Sequence, residues 1–170
     1  MRGRTSRIGG IVSKKLRIAK RVVAQLRRKL LRDLIAAGVC GSVARGSAEA
    51  YSDIDLIVLV RKPNHDLPAY LIVNATYCSI KQVTLKGALS ELSTPSDEFP
   101  QILGGYMKIL PLHDPFGSTR RLEKKAASVS SELFRKSAEI ALFESFEDFC
   151  RAKNAFMKGD NVVLKDNVYL

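Results

Sequence analysis

Two apolar runs, Leu34 to Cys40 and Ile54 to Val60, flank the stretch Gly41-Ser42-Val43-Ala44-Arg45-Gly46 and a polar loop that ends at Asp53-Ile54-Asp55. Short apolar runs bounded by turn residues read as strands, here Ile35 to Cys40 and Ile54 to Val60. Side chains alternate along a strand, so Asp53 and Asp55 point to one face. The Gly41-Ser42 turn can offer backbone N–H groups and a hydroxyl to an anion, because glycine lets the chain approach closely. Arg45, one turn on, is placed to engage a phosphate in bidentate fashion, and Ser52 to orient the carboxylates. Paired carboxylates at the mouth of a Gly-rich turn suit Mg²⁺ or Mn²⁺, which take oxygen ligands and complete their shell with substrate phosphate and water. The plain alternative is a surface hairpin carrying two incidental acids.

Charge is distributed unevenly around this motif. The first 32 residues hold twelve Lys or Arg and no acid, while the remainder holds sixteen bases against seventeen acids. The whole positive excess of a +11 chain therefore lies at its N-terminus. Met1 to Gly10 offers little to bury and is expected to be flexible. Ser13 is expected to cap a helix running to about Arg32, with Leu16, Ala19, Val23, Leu26 and Leu30 as its apolar stripe. Its basic side suits a solvated face, contact with nucleic acid or an acidic partner, or anionic lipid. No aromatic residue interleaves the bases, which argues against stacking on single strands.

A turn at Lys62 to Asp66 follows the second strand. Next comes a hairpin of Tyr70 to Val73 and Tyr77 to Val83 turning at Asn74-Ala75, then a short helix capped by Thr84 and ending near Leu92. Ser93 to Asp97 reads as a loop, Gly104-Gly105 as a turn and Tyr106 to Leu112 as a strand. One long helical region is expected from Gly117 or Ser118 to about Met157, with an apolar set that includes Leu133, Ile140, Phe143, Phe146, Cys150 and Phe156. The tail from Asn161 to Leu170 has an extended pattern. His65, His113 and Asp114 read as surface or structural residues. Cys40, Cys78 and Cys150 read as free thiols of a reducing compartment, and no apolar run reaches the roughly 18 residues of a membrane span. The protein is therefore expected to be cytoplasmic, with a basic arm and helix over residues 1–33 and a domain over 34–170.

The residues Val39-Cys40-Gly41-Ser42-Val43-Ala44-Arg45-Gly46 and Ser52-Asp53-Ile54-Asp55-Leu56 resemble the signature of the DNA polymerase β-like nucleotidyltransferase superfamily. The likeness extends towards the kanamycin nucleotidyltransferase type through Lys108 to Asp114 and Leu142 to Glu147, covering roughly residues 36 to 165. It implies an α+β nucleotidyltransferase fold, a mixed sheet of about five strands flanked by helices. It also implies Asp53 and Asp55 as metal ligands, and ATP or another NTP as co-substrate. Glu147 falls where the family's general base lies, and Arg151 where a lysine binds nucleotide phosphate. An exposed i,i+4 Glu–Arg pair is the alternative for those two.

Two departures stand out. Ser79 occupies the position of the superfamily's third carboxylate, with only Lys81 charged nearby. The helical domain that follows in kanamycin-type enzymes has no counterpart before Leu170, which suggests a homodimer or a separate helical partner protein. The expected function is transfer of a nucleoside monophosphate, AMP from Mg·ATP first among them, to a hydroxyl of a small molecule or partner protein. The alternatives are a non-catalytic nucleotide-binding or regulatory module, and a nucleic-acid-binding protein acting through the basic helix.

Overall fold

The computed structural model describes the backbone of residues 2–159 and the side chains of residues 9–159. Five strands form one mixed sheet in the order β3-β4-β2-β1-β5. They are β1 (Leu34–Cys40), β2 (Ile54–Val60), β3 (Tyr70–Val73), β4 (Thr76–Thr84) and β5 (Leu110–His113). β1 pairs antiparallel with both β2 and β5, β3 antiparallel with β4, and β2 parallel with β4. The helices are α1 (Arg2–Leu30), α2 (Gly41–Arg45), α3 (Leu85–Glu91), α4 (Phe99–Tyr106), α5 (Ser118–Ala127) and α6 (Ser131–Lys158).

The alternation of β2 splits the core into two layers. Ile54, Leu56, Val58 and Val60 pack with Ile18, Val22, Val23 and Leu26 of α1. Ile57 and Leu59 face the other way, towards Ala88, Leu92, Tyr106 and Leu122 of α3, α4 and α5. Asp55 shares the parity of Ile57 and so belongs to the second face, whereas Asp53 precedes the first residue of β2. Packing thus joins α1 to the sheet, although its charge sets it apart from residues 34–170.

Several boundaries differ from those expected. α1 begins at Arg2, so the first ten residues are helical from that point and Ser13 lies inside the helix instead of capping it. Gly9 and Gly10 cost about 1 kcal/mol each relative to alanine, but no proline interrupts the hydrogen-bond ladder. Phe99 to Tyr106 forms α4, with a proline in its first turn, where a turn at Gly104-Gly105 and a strand start at Tyr106 were expected. Gly104 and Gly105 are therefore helical, and β5 starts only at Leu110. The long helical region is two helices, because Ser130 caps a fresh start by accepting from the Leu133 N–H at 3.2 Å. The hairpin turn falls at Asn74-Ala75 as expected, both residues at positive φ. Thr84 caps α3 by accepting from the Gly87 N–H at 3.0 Å. The apolar set assigned to α6 is largely uncovered: Phe143, Phe146 and Phe156 are exposed, and only Ser137 and Ala155 of α6 are buried. The extended tail expected from Asn161 to Leu170 lies outside the described residues.

β1 and β5 approach closely at Gly38. A Cβ there would sit 2.6 Å from Ile109 Cγ2 and 2.9 Å from the Leu110 carbonyl oxygen. Gly38→Ala is expected to destabilise the fold by about 1–3 kcal/mol through overpacking, read as a lower thermal midpoint. Gly9→Ala, in a helix with open space around it, should shift the midpoint the other way.

Candidate functional site

At the end of β1 the chain must turn sharply, and Gly41 does so with φ at +65°. A Cβ on Gly41 would lie 2.1 Å from Asp55 Oδ2, so the carboxylate occupies the space a side chain would take. The register explains the contact, since Cys40 pairs with Asp55 across β1 and β2. Gly46 ends α2 at φ +78°, and its N–H donates to the Val43 carbonyl at 3.2 Å. The following loop is pinned twice. Ser52 Oγ accepts from the Glu49 N–H at 2.9 Å, and the Lys15 ammonium donates to the carbonyls of Ala50 and Ser52. Lys15 is only 4 % exposed, so the α1 helix fixes the approach to Asp53 through a buried cation.

Asp55 faces β4 in register with Ser79, whose hydroxyl donates to Asp55 Oδ1 at 2.9 Å. Burial pushes the Asp55 carboxyl above its ordinary value; the Ser79 hydrogen bond opposes that shift, and the neighbouring Asp53 charge adds to it. Burial, aided by the Asp55 charge, raises the Cys40 thiol to about 12. It is therefore neutral near pH 7 and unsuited to act as a nucleophile. Ser79 thus stands opposite Asp55 where a further carboxylate was expected.

Gly41, Arg45, Asp55 and Ser79 line a cleft of about 580 Å³ whose other wall is α4, through Gln101, Gly104 and Gly105. That volume suits a small molecule. Lys81 also lines it, but its ammonium pairs with Glu91 at 2.7 Å and lies 5.4 Å from the Tyr106 ring centre. Tyr106 donates to the same Glu91 carboxylate at 2.8 Å, and burial keeps its phenol protonated. The positive charge next to Ser79 is therefore compensated. The motif residues Ser42, Ser52 and Asp53 are half-buried, and none of them lines this cleft.

Glu147 and Arg151 lie elsewhere. They pair with each other on α6, both more than half exposed, and neither lines the cleft. Asp114 accepts from the N–H groups of Ser118 and Thr119 and from the Thr119 hydroxyl, which makes it the cap of α5. Lys15, Glu91 and Tyr106 had not been singled out for this region, whereas Lys81 had been noted beside Ser79. Lys81 shares the strand face of Ser79 by the period of two, and Lys15 falls on the apolar side of α1. Those positions were the available signals.

Among the described residues no group of three or more His, Cys, Asp or Glu is placed to hold a metal ion. Asp53 and Asp55 supply two hard oxygen donors, a set that fits Mg²⁺ arriving with phosphate oxygens and water better than a free-standing metal cage.

The raised Asp55 value has a defined sign in stability. Because the folded chain holds this proton to higher pH than the unfolded chain, stability falls as pH rises through the interval above the ordinary 3.8. In metal-chelated buffer, Asp55→Asn should raise the thermal midpoint near pH 7, with the gap closing below about pH 4. A gap independent of pH would show that burial of this charge does not govern the effect.

A family model described as nucleotidyltransferase domain matches residues 19–158. No curated relative matches the sequence. A nucleotidyltransferase-like protein from Exiguobacterium sibiricum 255-15 superposes with a TM-score of 0.51 at 13% identity, over 90% of this chain and 52% of that one. The chain thus spans about half the length of that relative, and the likeness shows the fold. A toxin–antitoxin structure with AMP-PNP superposes with a TM-score of 0.41 at 17% identity, over 71% of this chain and 94% of that one. With the family match spanning most of the sequence and the five-stranded sheet carrying Gly41-Ser42 and Asp53-Ile54-Asp55 at the ends of two interior strands, the chain belongs to the nucleotidyltransferase domain family of the polymerase β-like superfamily.

Proposed function

We propose that the protein transfers a nucleoside monophosphate from Mg·NTP, with ATP as the first donor to test, to a hydroxyl group. The observation that carries this reading is Asp55 set against Gly41 in a cleft of about 580 Å³, with the Asp53 charge close enough to raise the Asp55 carboxyl. In this reading Asp53 and Asp55 would hold the metal that accompanies the triphosphate. Gly41, Ser42 and Arg45 meet its phosphates, and Ser52 shapes the loop that presents the carboxylates. The metal would neutralise phosphate charge and orient the α-phosphate for in-line attack. Mn²⁺ would serve in its place. The acceptor is a small molecule or a partner protein. The exposed Leu142, Phe143, Phe146 and Phe149 of α6 support a protein contact, with a second copy or with a helical partner.

Incubation with α-labelled ATP, Mg²⁺ and candidate hydroxyl acceptors tests the proposal. Asp53→Ala and Asp55→Ala should each abolish labelled product, by at least about a hundredfold; full activity in either variant would reject the assignment. Glu147 is carried into this reading as the general base with Arg151 as a phosphate contact, although the two pair with each other on α6. If Glu147 takes the acceptor proton, Glu147→Gln should lower the rate by about 10²–10⁴-fold. If it serves only the pair with Arg151, the rate should be unchanged.

A second reading is favoured by Ser79, which gives Asp55 a hydroxyl partner in place of another carboxylate. In that reading the cleft binds Mg·NTP without turnover. Calorimetry would then show Mg·ATP binding lost in Asp55→Ala, with no pyrophosphate released by the native protein.

A further inference from the structure

α1 has two unlike sides. Ile18, Val22, Val23, Leu26 and Leu30 are buried in the core shared with the sheet. On the opposite side Lys14, Arg17, Arg21 and Arg28 are all exposed. Their spacings of three, four and seven residues keep them on one line of a helix. At 1.5 Å per residue they form a ridge about 21 Å long. Lys20 and Arg27 flank it and are also exposed. Among the described residues, no ion pair engages any residue of α1. The ridge is an uncompensated row of positive charge with guanidinium at three of its four positions.

The chemistry of the ridge selects among anionic partners. A helix that lies on a membrane inserts its apolar side into lipid, and here that side is inside the protein. Single-stranded nucleic acid is held by stacking on aromatic side chains, and α1 has none. An acidic protein would need its own carboxylates set to this spacing. A nucleic-acid duplex meets the ridge in any register, because it carries one charge per about 1.7 Å of axis. Arginine suits phosphate through its planar fork of donors.

We propose that the outer face of α1 binds the phosphate backbone of double-stranded nucleic acid, independently of base sequence. The surface is distinct from the nucleotide cleft. α1 covers the sheet face of Ile54, Leu56 and Val58, whereas Asp55 lies on the face of Ile57 and Leu59. Binding therefore does not require the carboxylates, and it stands or falls separately from nucleotidyl transfer.

Fluorescence anisotropy with labelled RNA and DNA duplexes of about 20 base pairs, titrated with the full chain between about 50 and 200 mM KCl, tests the proposal. The logarithm of the binding constant should fall linearly with the logarithm of salt, with a slope of about −5 if the ridge and its flanking cations all engage. Combining Lys14→Gln, Arg17→Gln, Arg21→Gln and Arg28→Gln should flatten that slope by about 3–4 and weaken binding at least tenfold at about 100 mM salt. A comparison variant removes the same charge from α5 and α6 through Arg120→Gln, Arg121→Gln, Lys124→Gln and Lys136→Gln. It should keep the native slope, and circular dichroism should show both variants folded. Equal losses in the two variants would overturn the proposal, as would absence of duplex binding at about 50 mM salt. So would a ridge variant that loses binding to phosphatidylserine vesicles while keeping duplex affinity.

Discussion

The contact between Gly41 and Asp55 organises this end of the molecule. With φ at +65° and Asp55 Oδ2 where a Cβ would stand, Gly41 allows the turn backbone and the carboxylate to share one small volume. A side chain at that point would displace either the turn or the acid. The half-burial that follows raises the Asp55 carboxyl, and Ser79 answers with a neutral donor. The arrangement holds a negative charge in partial isolation from water, where a cation interacts with it more strongly than at the surface.

The sheet separates two kinds of electrostatics. On one face Asp55 lines the cleft walled by α4, with Lys81, Glu91 and Tyr106 forming a self-compensated cluster nearby. On the other, α1 turns its cations outward and its aliphatic residues inward. Lys15 is the exception. It lies on the buried side of α1 and reaches the carbonyls of the loop before Asp53, so the basic helix and the acidic motif share a mechanical link. The lysine is satisfied by oxygen acceptors without a carboxylate, one way a buried cation is tolerated.

What could be read in the sequence was what local chemistry decides. β1 and β2 follow from short apolar runs between turn residues, the hairpin from Asn74-Ala75, and the α3 cap from Thr84. α4 was hidden because its helical state depends on burying Phe99 and Tyr106, while Gly104-Gly105 locally signals a turn. The joint near Val129 was hidden because Ser128 and Ser130 interrupt a helical period without breaking it. Of the site, Gly41, Arg45 and Asp55 come together from the motif alone. Lys15 and Glu91 become visible only when α1, β4 and α3 are assembled, and so does the pairing of Lys81 with Glu91, since each meets its partner across a long stretch of sequence or a separate element. Glu147 and Arg151 show the converse, because a spacing of four residues also satisfies itself along a single helix.

The β1–β2 hairpin holds Gly41, Arg45 and Asp55 on one continuous segment, paired directly at Cys40 and Asp55. The elements that complete the cleft come later in the chain, from β4 and α4. The turn and its acid are therefore set by one local segment, while β4 adds the Ser79 hydroxyl and α4 lines the opposite side of the cleft. The working end of the sheet thus joins a short-range turn to a wall supplied from later in the chain.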